Sequence, residues 1–132
     1  IHNSVTDGMG KIGVLVNFNN DSGEIDNIGK NICMHIAASA PKSLTVDDLD
    51  KSIIDNEKEI ISKQLKETGK PDNILEKMMQ GKLNKFYEEN TLMGQKFVID
   101  PSISIEQYLA QASKEINTQI NIQEFLRFEI GS

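Results

Sequence analysis

TVDDLDKSIIDNEKEIISKQLKETGKPDNILEKMMQGKLNKFYEE, residues 45–89, is the stretch that decides the fold. From Thr45 to Thr68 its apolar residues Ile53, Ile54, Ile60, Ile61 and Leu65 recur at helical spacing. Thr45 can cap that helix, with Asp48 three residues on as a short-armed capping box. Gly69 can take the left-handed conformation that ends a helix, and Pro71 can open the next one. The second helix carries Ile74, Leu75, Met78, Met79, Leu83, Phe86 and Tyr87. The pattern predicts an antiparallel helical hairpin. Its seam sets Ile53, Ile54, Ile60, Ile61 and Leu65 against Ile74, Leu75, Met78, Met79 and Leu83, with Lys63, Lys66, Glu67 and Lys77 in water. Isolated helices of this length are marginal, so the pair needs the core, a second subunit, or both. An apolar seam with a charged exterior suits docking rather than chemistry.

Outward from the hairpin, the periodicity changes. KIGVLVNF, residues 11–18, alternates as a strand, with Ile12, Val14, Val16 and Phe18 on one face and Gly13, Leu15 and Asn17 on the other. Residues 1–6 read as a short edge strand joined to it through a turn at Gly8 and Gly10. A helix is expected from about Glu24 to Ala38, with Ile25, Ile28, Ile32 and Ile36 on its inner face, and Pro41 stops it. After Asn90, TLM and FVID read as two short strands or extended segments. Ser102 or Ser104 can cap a helix running to about Asn117. INIQEFLRFEI alternates again. Ile120, Ile122, Leu126, Phe128 and Ile130 share one face and Phe125, Arg127 and Glu129 the other, with Glu124 as the one misfit. The fold class is therefore α+β: an antiparallel three-stranded sheet with helices on one face and an inserted antiparallel helical hairpin, or coiled coil, at about 46–89.

The chain has 132 residues, enough for one domain with a modest core. A net charge of −6 argues against direct nucleic-acid binding, which needs a basic surface. Lys77, Lys82 and Lys85 cluster, but Glu76, Glu88 and Glu89 flank them, as on a solvated helix face. A single cysteine, Cys33, rules out an intramolecular disulfide and fits a reducing compartment. No apolar run approaches the roughly 20 residues that span a bilayer. The chain opens at Ile1 inside a structured segment, as a fragment of a longer protein would.

Catalytic patterns are missing. His2 and His35 are the histidines, and no CxxC or HExxH offers a metal site. On a helix, Cys33 and His35 diverge by about 200 degrees, so they cannot form a nucleophile–base pair. His35 reads as a structural residue satisfying late helix carbonyls, and Cys33 as a small buried hydrophobe. Asp47, Asp48 and Asp50 suit a helix start. Gly8, Gly10 and Gly13 precede and enter a strand, whereas a phosphate cradle follows one. The residues thus imply no catalytic site, no metal and no cofactor, and a soluble interaction domain.

KIGVLV at 11–16, ICMHIAASAP at 32–41, GKP at 69–71, EKMMQGKLNKFYEE at 76–89, GQKFVIDP at 94–101 and RFEIG at 127–131 occur in one order with matching gaps. In these segments the chain resembles the bacterial elongation factor Ts family, the nucleotide exchange factors of elongation factor Tu. The resemblance implies a cytoplasmic translation factor that promotes GDP release without hydrolysis. It covers the family's C-terminal core subdomain over 1–132 and lacks the N-terminal domain and the Thr-Asp-Phe-Val motif that loosens GDP. By the same resemblance His2, Val98 and Ile99 are partner-binding residues facing domain 3 of elongation factor Tu. Val98 and Ile99 can also be read as one in and one out, by alternation. The hairpin, with Ile53, Ile60, Ile61, Leu65, Met78 and Leu83, matches the insertion through which some members form homodimers. The alternative is a homotypic coiled-coil assembly module without exchange activity.

Overall fold

The computed structural model describes residues 2–6, 12–19 and 23–129, with side chains from 12 onward. It is an α+β fold. Strand β1 is His2–Thr6 and β2 is Ile12–Phe18. Helices α1, Ile25–Ser39, α2, Lys51–Lys66, α3, Asp72–Asn90, and α4, Ile105–Glu115, precede the last strand, β3, Ile122–Glu129. The strands pair antiparallel in the order β1-β2-β3, so β2 is central.

One face of β2 makes the core, because alternation sends Val14, Val16 and Phe18 to the same side. They pack against Ile25, Ile28, Ile32 and Ile36 of α1, and Ile105, Leu109 and Ala112 of α4 join the same cluster. Helix α1 ends in a left-handed residue, Ala40 (φ 45°), whose N–H donates to Ile36 O at 2.9 Å. Helix α4 starts at Ser104 with a full capping box: Gln107 N donates to Ser104 Oγ, and Ser104 N donates to Gln107 Oε1.

The last strand departs from simple alternation. Register runs Asn17↔Glu124 and then Phe18↔Ile122, so Gln123 is an extra residue in β3. The bulge changes which residues face inward. Ile120 and Ile122 are buried as expected, but beyond the bulge Phe125 packs on the core while Leu126 is 59% exposed. Phe128 is exposed as well, and its ring lies over Gly13, where an added Cβ would sit 2.5 Å from Phe128 Cε2. The expected shared face of Ile120, Ile122, Leu126 and Phe128 is therefore corrected; Ile130 lies outside the described residues. Glu124, the sequence misfit, sits on the bulge opposite Asn17, whose side-chain amide donates to its carboxylate.

The hairpin forms at 51–90, with two corrections. Thr45 does not cap α2. Its hydroxyl bonds Asp48 at 2.9 Å beside a short 3-10 turn, Val46–Asp48, and an extended Leu49 interrupts the chain. Asp50 is the true cap, accepting from Ser52 N at 3.0 Å. That backbone bond, and then the Ser52 hydroxyl, hold the Asp50 carboxyl below the usual carboxylate range. The seam is narrower than expected. Ile61, Leu65 and Leu83 are buried, with Leu75, Met78, Met79 and Tyr87 packed around them, whereas Ile60 and Ile74 are exposed and Ile53 and Ile54 half-buried. Gly69 has φ +69°, as its place between helices requires.

The segment 91–99 is not a strand of the sheet. It makes isolated bridges instead, Ser43↔Thr91 and Lys96↔Ser104. The first closes the root of the hairpin, where Lys42 N donates to Asn90 O at 2.8 Å and Leu92 N to Ser43 O at 2.8 Å. Among the described residues, no helix is long and apolar enough to cross a membrane.

Candidate docking site

The second isolated bridge founds a small projecting loop. Phe97 N donates to Ile103 O at 2.9 Å, and within the loop Asp100 N returns to Phe97 O at 3.1 Å. Asp100 turns the chain through its own side chain: Oδ1 accepts from Ser102 Oγ at 2.6 Å and Ser102 N at 3.2 Å. The Ser102 hydroxyl, then its backbone N–H, hold the Asp100 carboxyl low. Phe97 anchors the loop. It is buried and stacks on Tyr108 of α4 with ring centroids 4.3 Å apart.

Above that anchor Val98 is 41% exposed and Ile99 is 52% exposed. The alternation that would put one in and one out fails, because the turn at Asp100 replaces extended backbone. Two adjacent aliphatic side chains stand in water on a loop held by backbone and side-chain hydrogen bonds of its own. Such a pair gains free energy when another surface covers it.

Beneath the loop lies a buried polar pair. His35 of α1 is wholly buried, and its Nδ1 accepts from Val98 N at 3.2 Å. Its Nε2 therefore carries the ring proton and donates to Gln95 Oε1 at 2.9 Å. Gln95 is itself buried, and its amide donates to Glu89 O at 2.8 Å and toward Ser39 O at 3.5 Å. Burial pushes the His35 pKa below 6.5, and the Gln95 bond offsets part of that shift. The expectation that His35 satisfies late carbonyls of its own helix is thus corrected. Arg127 of β3 does so instead, with Nη2 3.2 Å and Nε 3.4 Å from Ala37 O. Nothing local in the sequence pairs His35 with the Gln95–Val98 segment, which lies some 60 residues away.

The other site residues lie apart. His2 sits in β1 opposite Phe18, and its side chain lies outside the described residues. No described contact joins it to Val98 or Ile99. The hairpin residues Ile61, Leu65 and Leu83 are enclosed within the hairpin itself, Met78 packs on them, Ile53 is half-buried and Ile60 faces outward. Cys33 is buried under β2, with Sγ 4.0 Å from Val14 O, and is not directed at His35. Among the described residues no group of His, Cys, Asp or Glu is placed to hold a metal ion.

The sequence profile of the family described as Elongation factor TS matches residues 1–132. Curated relatives include Elongation factor Ts of Paracoccus denitrificans, 47% identical over 116 residues, covering 88% of this chain and 39% of the relative. That of Bartonella bacilliformis is 46% identical across 99% of this chain and 43% of the relative. That of Mesorhizobium japonicum is 42% identical across 99% of this chain and 44% of the relative. The chain spans about two fifths of the length of the curated relatives it matches.

Proposed function

The chain belongs to the elongation factor Ts family, and we propose that it is the portion of that factor that grips elongation factor Tu. In this reading residues 1–132 are the C-terminal core subdomain, with the hairpin of about 46–89 as an inserted coiled coil. Val98, Ile99 and His2 meet domain 3 of elongation factor Tu. The working compartment is the cytoplasm. The observation that carries the reading is the exposed Val98–Ile99 pair on a braced loop, an apolar surface with no cover among the described residues.

Nucleotide exchange is linkage. A factor that binds nucleotide-free elongation factor Tu better than the GDP form lowers GDP affinity, and GDP weakens the factor in return. This chain contributes anchoring free energy to that cycle. It contains no Thr-Asp-Phe-Val sequence with which to disturb the nucleotide site. Binding without exchange is therefore the expected behaviour. Co-elution with nucleotide-free elongation factor Tu tests the first half, and release of a fluorescent GDP under saturating chain tests the second. Release as fast as a full-length relative gives would refute the division of labour. Val98→Asp and Ile99→Asp should each weaken binding, because a carboxylate left desolvated in an apolar contact costs on the order of several kcal/mol. Normal binding by both folded variants would remove the loop from the interface.

A second reading has its own observation. Ile60 and Ile74 point outward from the hairpin, where a second copy could cover them. Sedimentation at rising concentration separates a homotypic assembly from a monomer that awaits elongation factor Tu.

A further inference from the structure

We infer that His35 and Gln95 are positioning residues that fix the Val98–Ile99 loop through the Val98 amide. The inference rests on the docking reading of that loop and adds what holds it in shape.

A buried imidazole and a buried carboxamide are costly unless their polar atoms are bonded, and aliphatic side chains would fill the same space without that cost. Here the bonds are made, and they reach outward to separate elements. His35 Nδ1 takes the Val98 N–H, and His35 Nε2–H holds Gln95 Oε1. The Gln95 amide takes Glu89 O at the end of α3 and approaches Ser39 O at the end of α1. One rigid pair thus ties two helix ends to the loop. Phe97, between Gln95 and Val98, lies at 6.1 Å and a tilt of 45° from the His35 ring and also stacks on Tyr108. With Phe97 below and the Val98 amide held by nitrogen, the loop has little freedom to fold its two aliphatic side chains inward. Interfaces of this kind bind more tightly when the exposed residues are already in place, because less ordering remains to be done on contact.

The geometry demands one tautomer. Nδ1 can accept from Val98 only if it carries no proton. Nitrogen NMR of the unmodified chain should therefore find His35 protonated at Nε2 and bare at Nδ1. A proton at Nδ1 would overturn the inference without any variant. Hydrogen exchange gives the second reading. In His35→Phe and Gln95→Leu, the Val98 amide should exchange about tenfold faster, the loss of roughly one hydrogen bond's net contribution, while Val16 in β2 keeps its rate. An unchanged Val98 rate in a folded variant would overturn the positioning role. Where a variant also loosens Val16, the tautomer decides.

Affinity for nucleotide-free elongation factor Tu is the third reading, with the dissociation constant expected to rise about fivefold in both variants. Unaltered affinity together with a freed Val98 amide would show that loop position does not matter for docking. Absence of binding by the unmodified chain would instead refute the docking reading. The tautomer and exchange results would then still judge the positioning role by themselves.

Discussion

In the body of the fold, β2, α1 and α4 meet over Phe18, Ile32, Ile36 and Ile105, all wholly enclosed, whereas α2 and α3 enclose Ile61, Leu65 and Leu83 and leave much of their apolar surface half-covered. The body buries long-range neighbours from both ends of the chain. The hairpin buries residues that are close in sequence and lie on a single seam. Apolar area removed from water sets the scale of stabilisation, so the two regions should not be equally hard to open.

The largest expected effect tests whether the body carries the stability. Phe18→Ala should cost about 3–5 kcal/mol in urea unfolding, with strand and hairpin lost together. If the hairpin stayed protected after the body had melted, it would be autonomous and the comparison would fail. Next in size, Leu65→Ala should cost about 2 kcal/mol, toward the low end for an aliphatic truncation because the site lies close to solvent. Here hydrogen exchange should quicken across 53–83 and stay as it was across 12–18. Equal acceleration in both would make body and hairpin one cooperative unit. Protection of 53–83 that grows with protein concentration would mean that a second copy supplies missing burial.

A smaller effect comes from pH and belongs to the body alone. The His35 pKa is held below its ordinary 6.5 by burial, against the weaker opposing pull of Gln95. As pH falls below 6.5 the unfolded chain takes up the proton before the folded one does. The contribution of neutral His35 is therefore complete above that pH, declines as pH falls through the folded-state pKa, and then levels off. Lys85, Glu88, Glu89 and Lys96 line the surface hollow beside Gln95, so the comparison needs His35→Phe as a reference. Urea midpoints at about pH 7.5 and pH 5 should converge in that variant relative to the parent. A parallel fall in both would assign the pH dependence elsewhere. The smallest effect is at the hairpin tip. Gly69→Ala should cost about 1 kcal/mol, since φ of +69° strains a side chain although space is open around it. A neutral substitution would mean that the tip relaxes at no cost.

The same comparison explains how much could be read from sequence. Strand 12–18, helix 25–39 and the turn at Gly69 announce themselves because local periodicity and the conformational preference of one residue determine them. What sequence could not supply was decided by partners far away. The bulge at Gln123 exists only in register with Asn17 and Phe18, and it inverts Leu126 and Phe128 relative to simple alternation. Glu124 was the visible trace of that inversion. Phe97 turned inward to Tyr108 while Val98 and Ile99 stayed out, because Asp100 and Ser102 bend the chain there. Resemblance singled out Val98 and Ile99, which the fold leaves exposed, but the His35–Gln95 pair beneath them was not legible, since a span of 60 residues separates the two partners.

The bridge between Ser43 and Thr91 is parallel. Two segments running in the same direction cannot be joined by a tight reversal, and a parallel return needs a connection of about a dozen residues or more. The hairpin is therefore also the route by which the chain comes back to run alongside itself. Its root admits no simple excision, because a direct splice between 43 and 91 would demand the opposite strand direction. Its far end, at Gly69, faces no such demand. Matched additions or removals of whole helical turns on either side of Gly69 change the arm's reach without altering the bridge. Length can therefore drift at the tip over generations while the root stays fixed in register.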